Sequence, residues 1–313
     1  MTYKPDVVYY HHPCTDGSSA VAVVYNYYEG KGGETIAYEP FDYGNMSDIK
    51  VMLDACRGKH VLFVDSCMKG EDMQALQVTA ESITILDHHK TAEAQMVDFI
   101  RDDVTLDNLE KELVEQKTIF IYTEDRSGAS LAYRFFYSDI IPVFIEYVED
   151  VDLGKFELPN AHDFKFWSRS LSFEIDTYRE CIWGLTREDM PDIFSKGAAI
   201  KAYVDQQLER IIAGSRALNI GKFVIPYVVT DYAFSAEAAG KLLDESASDI
   251  GIGFYFSAKG LGASIRSQGG ADSTIIAKQF GGGGHRNAAG FNIEWDEVQD
   301  FFDATGILIT TFK

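Results

Sequence analysis

The sequence predicts an α/β protein: a doubly wound, mainly parallel sheet, linked by a long helix to a smaller α/β unit with a mixed sheet. Three observations lead there. Asp6-Val7-Val8-Tyr9-Tyr10 reads as a strand, runs into the polar loop His11 to Gly17, and meets an Ala/Val/Tyr-rich helix from Ser18 to Tyr28. Two later apolar runs, His60 to Val64 and Ile83 to Leu86, end the same way, in Asp65-Ser66-Cys67 and in Asp87-His88-His89. Pro191 to Ala217 then carries the longest helical pattern, with Ile193, Ile200, Val204, Leu208, Ile211 and Ile212 on one side. These divisions place one domain at 1–190, a helical linker at 191–221 and a smaller domain at 222–313.

Taken in order, Glu34 to Phe41 is a second strand, followed by a turn at Asp42 to Asn45. Glu71 to Ala80 is a helix leading to the strand before Asp87. Residues 102–117 are charged and read as exposed chain. Ser127 is placed to cap a helix running through Phe136. The apolar stretch Pro142 to Val148 is helical and delivers Glu149-Asp150-Val151-Asp152-Leu153, while Phe164 to Trp183 reads as aromatic helical packing without a site. In the C-terminal part, Phe223 to Val229 is a strand and Phe234 to Leu243 a helix. Ile250 to Ser257 and Gly262 to Ser267 form a hairpin across Lys259-Gly260, and Thr274 to Phe280 is a helix. Gly281-Gly282-Gly283-Gly284-His285-Arg286 follows. Its glycines let backbone N–H groups approach an anion, which favours phosphate contact over a simple turn.

Composition narrows the function. With 313 residues, 46% of them hydrophobic, the chain can bury two cores. No apolar run reaches the length of a membrane span, and the N-terminus lacks a signal-peptide layout. The four cysteines form no C-x-x-C pair, so a cytoplasmic, reducing home is expected. The net charge of −21, from 49 acidic and 28 basic residues, argues against long nucleic acid as the main ligand.

The chemistry concentrates at the strand ends. Read alone, Asp87-His88-His89 is an ordinary surface turn. Three strand ends in one sheet carrying Asp or His are harder to explain as structure, because buried carboxylates are costly unless paired or metal-bound. Open α/β sheets bind ligands at the carboxyl ends of their strands. Carboxylate and imidazole together suit a divalent ion such as Mn²⁺, with Mg²⁺, Zn²⁺ or Fe²⁺ as competitors.

These residues, in this order, resemble the DHH phosphoesterase superfamily, in the branch with the DHH-associated C-terminal domain. Asp87-His88-His89 is the naming motif. Tyr10 to Gly17 is similar to the first motif, Val64-Asp65 to the second and Glu149 to Leu153 to the fourth. Ser264-Ile265-Arg266-Ser267 and Gly281 to Phe291 resemble the substrate-binding part of the C-terminal domain.

The resemblance implies two Mn²⁺ ions, with His11 and Asp65 on one and Asp16, Asp65, His88 and Asp150 on the other. His12 and Asp152 stand in reserve for His11 and Asp150. Asp87 and His89 are the implied catalytic residues, with His89 lying behind the metals or touching the scissile phosphate. Arg266, Gly282, Gly283, Gly284 and His285 are the implied substrate contacts. The implied activity is hydrolysis of phosphodiester bonds in short oligonucleotides or small or cyclic nucleotides. Alternatives are a 3′-phosphoadenosine-nucleotide phosphatase and a nucleotide-binding sensor with a decayed site. A homodimer is left open. One departure stands out: many relatives carry Asp-x-Asp in the first motif, and Cys14 occupies the first Asp position.

Overall fold

The computed structural model describes residues 3–29, 36–41, 49–68 and 70–306. The chain divides into two compact units, Met1–Ile200 and Lys201–Lys313.

The first unit runs β1 (Val7–His11), α1 (Thr15–Glu29), β2 (Ala37–Phe41), α2 (Ile49–Ala55), β3 (His60–Val64), α3 (Gly70–Thr79), β4 (Ser82–Asp87), α4 (Lys90–Met96), α5 (Leu109–Glu115) and β5 (Thr118–Tyr122). Helices α6 (Gly128–Phe136), α7 (Val143–Asp152), α8 (Ala161–Ser168) and α9 (Ile175–Gly184) follow. The five strands form one sheet in the order β2-β1-β3-β4-β5, with every neighbouring pair parallel. The order reverses between β1 and β3, which makes their carboxyl ends the switch point where such sheets open a crevice.

Both faces of this sheet are covered, so its strands read as continuous apolar runs rather than alternating ones. Alternate residues serve two cores. Val8, Tyr10, Leu62, Val64 and Leu86 pack with α1, α6 and α7 through Ala20, Val21, Ala132 and Phe144. Val7, Tyr9, Val61, Phe63, Ile83 and Ile85 pack on the other face with Met52, Met73 and Leu76. The charged segment 102–117 holds α5, whose Leu109 is fully buried. The predicted turn at Asp42 to Asn45 lies outside the described residues.

Helix α10 (Met190–Ile212) crosses the boundary between the units. It stops five residues short of the predicted end at Ala217. Ala213-Gly214-Ser215 breaks it, and Arg216–Ile220 becomes strand β6. The second unit continues with β7 (Phe223–Val229), α11 (Tyr232–Glu245), β8 (Ile250–Ser257), β9 (Gly260–Ser267), α12 (Thr274–Ala277), β10 (Gly283–His285), β11 (Ala288–Glu294) and α13 (Val298–Thr305). Its sheet runs β10-β11-β9-β8-β7-β6 and is mixed: β7 and β8 are parallel, the other pairs antiparallel. No described helix is long and apolar enough to cross a membrane.

Close approach requires glycine at Gly17, Gly128 and Gly197 in the first unit, and Gly128 bears directly on the strand ends. A Cβ on Gly128, at the start of α6, would stand 2.5 Å from the Cβ of Asp65. Gly128→Ala should therefore displace Asp65, at an overpacking cost of about 1–3 kcal/mol. Thermal melts with and without divalent metal check this. The expected result is a folded protein of lowered Tm that has lost most of its metal-induced stabilisation.

Candidate metal centre

Three turns at the switch point bring the polar side chains together. Strand β1 ends at His11, and α1 begins four residues later, placing Asp16 in its first turn. After β3 the chain turns at Asp65, whose φ of 56° lies in the left-handed region, which Asp tolerates better than most residues. Its N–H donates to Leu86 O at 2.9 Å, which fixes the turn to the neighbouring strand. After β4, one oxygen of Asp87 accepts the N–H groups of His88 at 2.8 Å and His89 at 3.3 Å, and lies 2.6 Å from His89 Nδ1. Asp87 thus orders both histidines that follow it.

Asp65 is the hub. It is 1% exposed. Its Oδ2 lies 3.3 Å from His11 Nδ1, and its Oδ1 lies 3.2 Å from His88 Nε2 and 3.9 Å from His89 Nδ1. His88 Nε2 also faces Asp152 Oδ2 at 3.4 Å and Asp16 Oδ2 at 3.7 Å. Asp16, equally buried, is held by the start of α6: Gly128 N–H donates to Oδ2 at 2.5 Å and Ala129 N–H to Oδ1 at 2.9 Å. Ser127 caps that helix by accepting from Ser130 N–H at 3.3 Å, as its position predicts.

The structure brings together His11, Asp16, Asp65, Asp87, His88 and His89 of the residues singled out from sequence. It places Asp150 elsewhere. The Asp150 carboxylate accepts the N–H groups of Glu157 at 2.9 Å and Leu158 at 3.1 Å, which closes the loop after α7. Asp152 faces His88 instead. Two residues apart on a helix is about 200° of rotation, so only one of the pair can face the cluster. His12 is also turned away, with its ring edge-on to Tyr10 and Phe173 at 5.8 and 5.6 Å.

Electrostatics follow from the crowding. Burial opposes ionisation of Asp65, but the imidazoles of His11, His88 and His89 outweigh it and hold its carboxyl well below the usual range. Burial and the nearby Asp65 charge push Asp16 well up. Burial likewise disfavours the imidazolium of His11 and His88, yet the surrounding carboxylates raise them, to about 9 and about 10.

A divalent cation fits this donor set. Three groups have ligand atoms within 4.8 Å of one another: His11, Cys14 and Asp65; Asp16, His88 and Asp152; and Asp65, Asp87, His88 and His89. Asp65 Oδ1 is buried and makes no well-aligned hydrogen bond, its nearest partner being His88 Nε2 at 3.2 Å, which leaves acceptor capacity that a cation would take.

In the second unit, Gly281 to Phe291 forms an edge hairpin rather than an open loop: Gly283, Gly284 and His285 pair with Gly290, Ala289 and Ala288. A Cβ on Gly282 would stand 2.1 Å from Gly290 O, so this glycine answers an internal contact. Ala288 pairs with both His285 and Arg266, which puts those two positions in one register row across three strands, about 10 Å apart by strand spacing. Arg266 donates to Ile265 O at 2.9 Å. The His285 side chain lies outside the described ones. Arg286 binds the carbonyls of Gly270 and Ala271 and so closes a loop.

Residues 221–309 match the DHHA1 domain. An uncharacterized protein of Acanthamoeba polyphaga mimivirus is 23% identical over 318 residues, covering 91% of this chain and 66% of that protein, so the chain spans just under two thirds of that relative. Among solved structures, the DHH domain of a member of the s1p family of ribosomal proteins superposes with a TM-score of 0.58 at 14% identity, covering 96% of this chain and 85% of that one. RecJ from Thermus thermophilus, solved with Mn²⁺, gives 0.54 at 12% identity over 96% of this chain and 51% of its own. At such identities the likeness concerns the fold. The chain shares the fold of these DHH-domain structures, and its residues 221–309 form a DHHA1 domain.

A metal ion requires neutral imidazoles and so competes with protons here. Without metal, imidazoliums whose values are raised from 6.5 to about 9 and about 10 stabilise the fold fully below pH 6.5, and this is lost as pH rises through those values. The melting temperature of the chelated protein should therefore fall on the alkaline side. The rise produced by Mn²⁺ should grow over the same interval, with proton uptake by buffer measurable in calorimetry. A metal-induced rise independent of pH would contradict this assignment.

Proposed function

We propose that the chain is a metal-dependent phosphoesterase that hydrolyses phosphodiester bonds in short oligonucleotides or small nucleotides with water activated between two divalent ions. The observation that carries this reading is the convergence of His11, Asp16, Asp65, His88 and Asp152 on one crevice at the sheet's switch point, with Asp65 common to both sides. The proposed ligands are His11 and Asp65 for one ion, and Asp16, Asp65, His88 and Asp152 for the other. Two such ions would act as Lewis acids on phosphate oxygens and lower the pKa of water between them.

The chain's own residues supply the rest. Asp87 engages His89 Nδ1 and so fixes the ring that is proposed to touch the scissile phosphate. The amides of Gly128 and Ala129 keep Asp16 fixed in orientation. Arg266 and the backbone amides of the glycine hairpin are proposed to bind a further phosphate, a role suited to a planar guanidinium. Mn²⁺ is the proposed ion at Asp16, Asp65, His88 and Asp152, and the Mn²⁺ seen in RecJ supports that choice.

The substrate is proposed to be short because the net charge of −21 opposes each additional phosphate outside the site. All four cysteines are free, which supports a reducing, cytoplasmic home.

Initial rates on a ladder of labelled nucleotides and oligonucleotides, at fixed Mn²⁺ and salt, test the reading. Rates should peak at about two to five nucleotides and fall for long strands, whose phosphates need basic partners. Asp65→Ala should lower the rate by at least about a thousandfold, roughly 4 kcal/mol of barrier. Arg266→Ala should lower kcat/KM on short substrates by about tenfold or more while leaving metal binding intact. Substantial activity in Asp65→Ala, or in excess chelator, would overturn the two-metal reading.

A further inference from the structure

The two sides of the centre differ in chemistry. On one side the converging atoms belong to Asp16, His88 and Asp152, two carboxylates and an imidazole. On the other they belong to His11, Cys14 and Asp65, an imidazole, a thiol and a carboxylate. Cys14 is unlike the other cysteines. Cys56, Cys67 and Cys181 are packed into the apolar clusters, where a thiol acts as a small hydrophobe. Cys14 belongs to none of those clusters and is only partly buried.

Its backbone is also fixed. Cys14 O accepts the Ser18 N–H at 3.0 Å in the first turn of α1. The start of α1 thus carries the thiol within 4.8 Å of the ligand atoms of His11 and Asp65. A second observation is independent of the cysteine. The buried Asp65 carboxylate faces both sides: Oδ2 lies 3.3 Å from His11 Nδ1, and Oδ1, which makes no well-aligned hydrogen bond, lies 3.2 Å from His88 Nε2.

Accepting the metal-dependent reading above, we propose that the centre is built for two unlike ions. A softer, thiolate-seeking ion of the Zn²⁺ or Fe²⁺ kind would sit at His11–Cys14–Asp65, and a harder ion of the Mn²⁺ or Mg²⁺ kind at Asp16–His88–Asp152. Thiolate selects the softer first-row metals, whereas a pocket dominated by carboxylates suits Mn²⁺ and Mg²⁺. Binding at the first pocket replaces the thiol proton with the metal, and one proton leaves to solvent. The shared Asp65 joins the pockets, so each ion's charge helps retain the other.

The test uses the full chain, freed of metal by chelation and titrated with Co²⁺, a spectroscopic stand-in for both kinds of ion. Two equivalents should bind, and one should produce a thiolate-to-cobalt charge-transfer band in the near ultraviolet. Cys14→Ser should remove that band, keep the visible bands of the second ion, and weaken Zn²⁺ binding at one site by about 10- to 100-fold. Cys14→Asp should lack the band as well and should take Mn²⁺ at both sites. In the unaltered protein, one equivalent of Zn²⁺ should protect Cys14 from alkylation, as mapped by mass spectrometry, a readout that needs no variant to fold.

Two bound Co²⁺ without a thiolate band, a band that survives in Cys14→Ser, or unprotected Cys14 would overturn the proposal while leaving the two-metal reading standing. Failure to bind Co²⁺ at all would remove both.

Discussion

Everything at the carboxyl end of the first sheet is arranged around one buried carboxylate. Asp65 sits where water cannot solvate it, and burial of an isolated charge is costly. The surrounding groups offset that cost only in part. Three imidazoles approach it, but Asp16, Asp87 and Asp152 draw on the same imidazoles. One oxygen of Asp65 makes no well-aligned hydrogen bond, its nearest partner being His88 Nε2 at 3.2 Å. A cluster with more anionic than cationic capacity and a poorly satisfied acceptor at its centre is a natural host for divalent cations.

The fold makes that arrangement possible by separating stability from function. The cores lie between the sheet and its two helical layers, formed by the alternating apolar residues of β1, β3 and β4. The ligand-type side chains lie one residue beyond those runs, where the backbone leaves the sheet. Changing them empties a crevice rather than a core. The exception is Gly128, whose missing side chain lets α6 approach Asp65 closely enough to hold Asp16 with its first two amides.

Much of this was legible in the sequence, for physical reasons. Buried parallel strands are short continuous apolar runs, so β1, β3 and β4 announced themselves, and the Asp and His residues that ended them marked the site. The hairpin β8–β9 was readable from its turn. Other features gave no local signal. Thr118 to Tyr122 forms β5, but it follows a charged stretch and ends in no ligand residue. The glycine run looked like a loop because glycine is poor at strand formation, and β10 exists only through its pairing with β11. The choice between Asp150 and Asp152 depends on the rotation of α7 about its axis, and that between His11 and His12 on the path after β1. Tertiary packing decides both. Cys14 was visible as a departure, but its separation from the apolar clusters that hold the other cysteines required the fold.

The central claim is that Asp65 is shared by two metal ions, with Asp152 rather than Asp150 completing the second. Anomalous scattering from crystals saturated with a single divalent metal tests it most directly. The account predicts two peaks about 3.5–4 Å apart, as two-metal centres have. One should lie beside His11 and the other between His88 and Asp152, with Asp65 bridging them. A single peak, a pair that Asp65 does not touch, or a metal bound through Asp150 with the Glu157 and Leu158 amides released would contradict it.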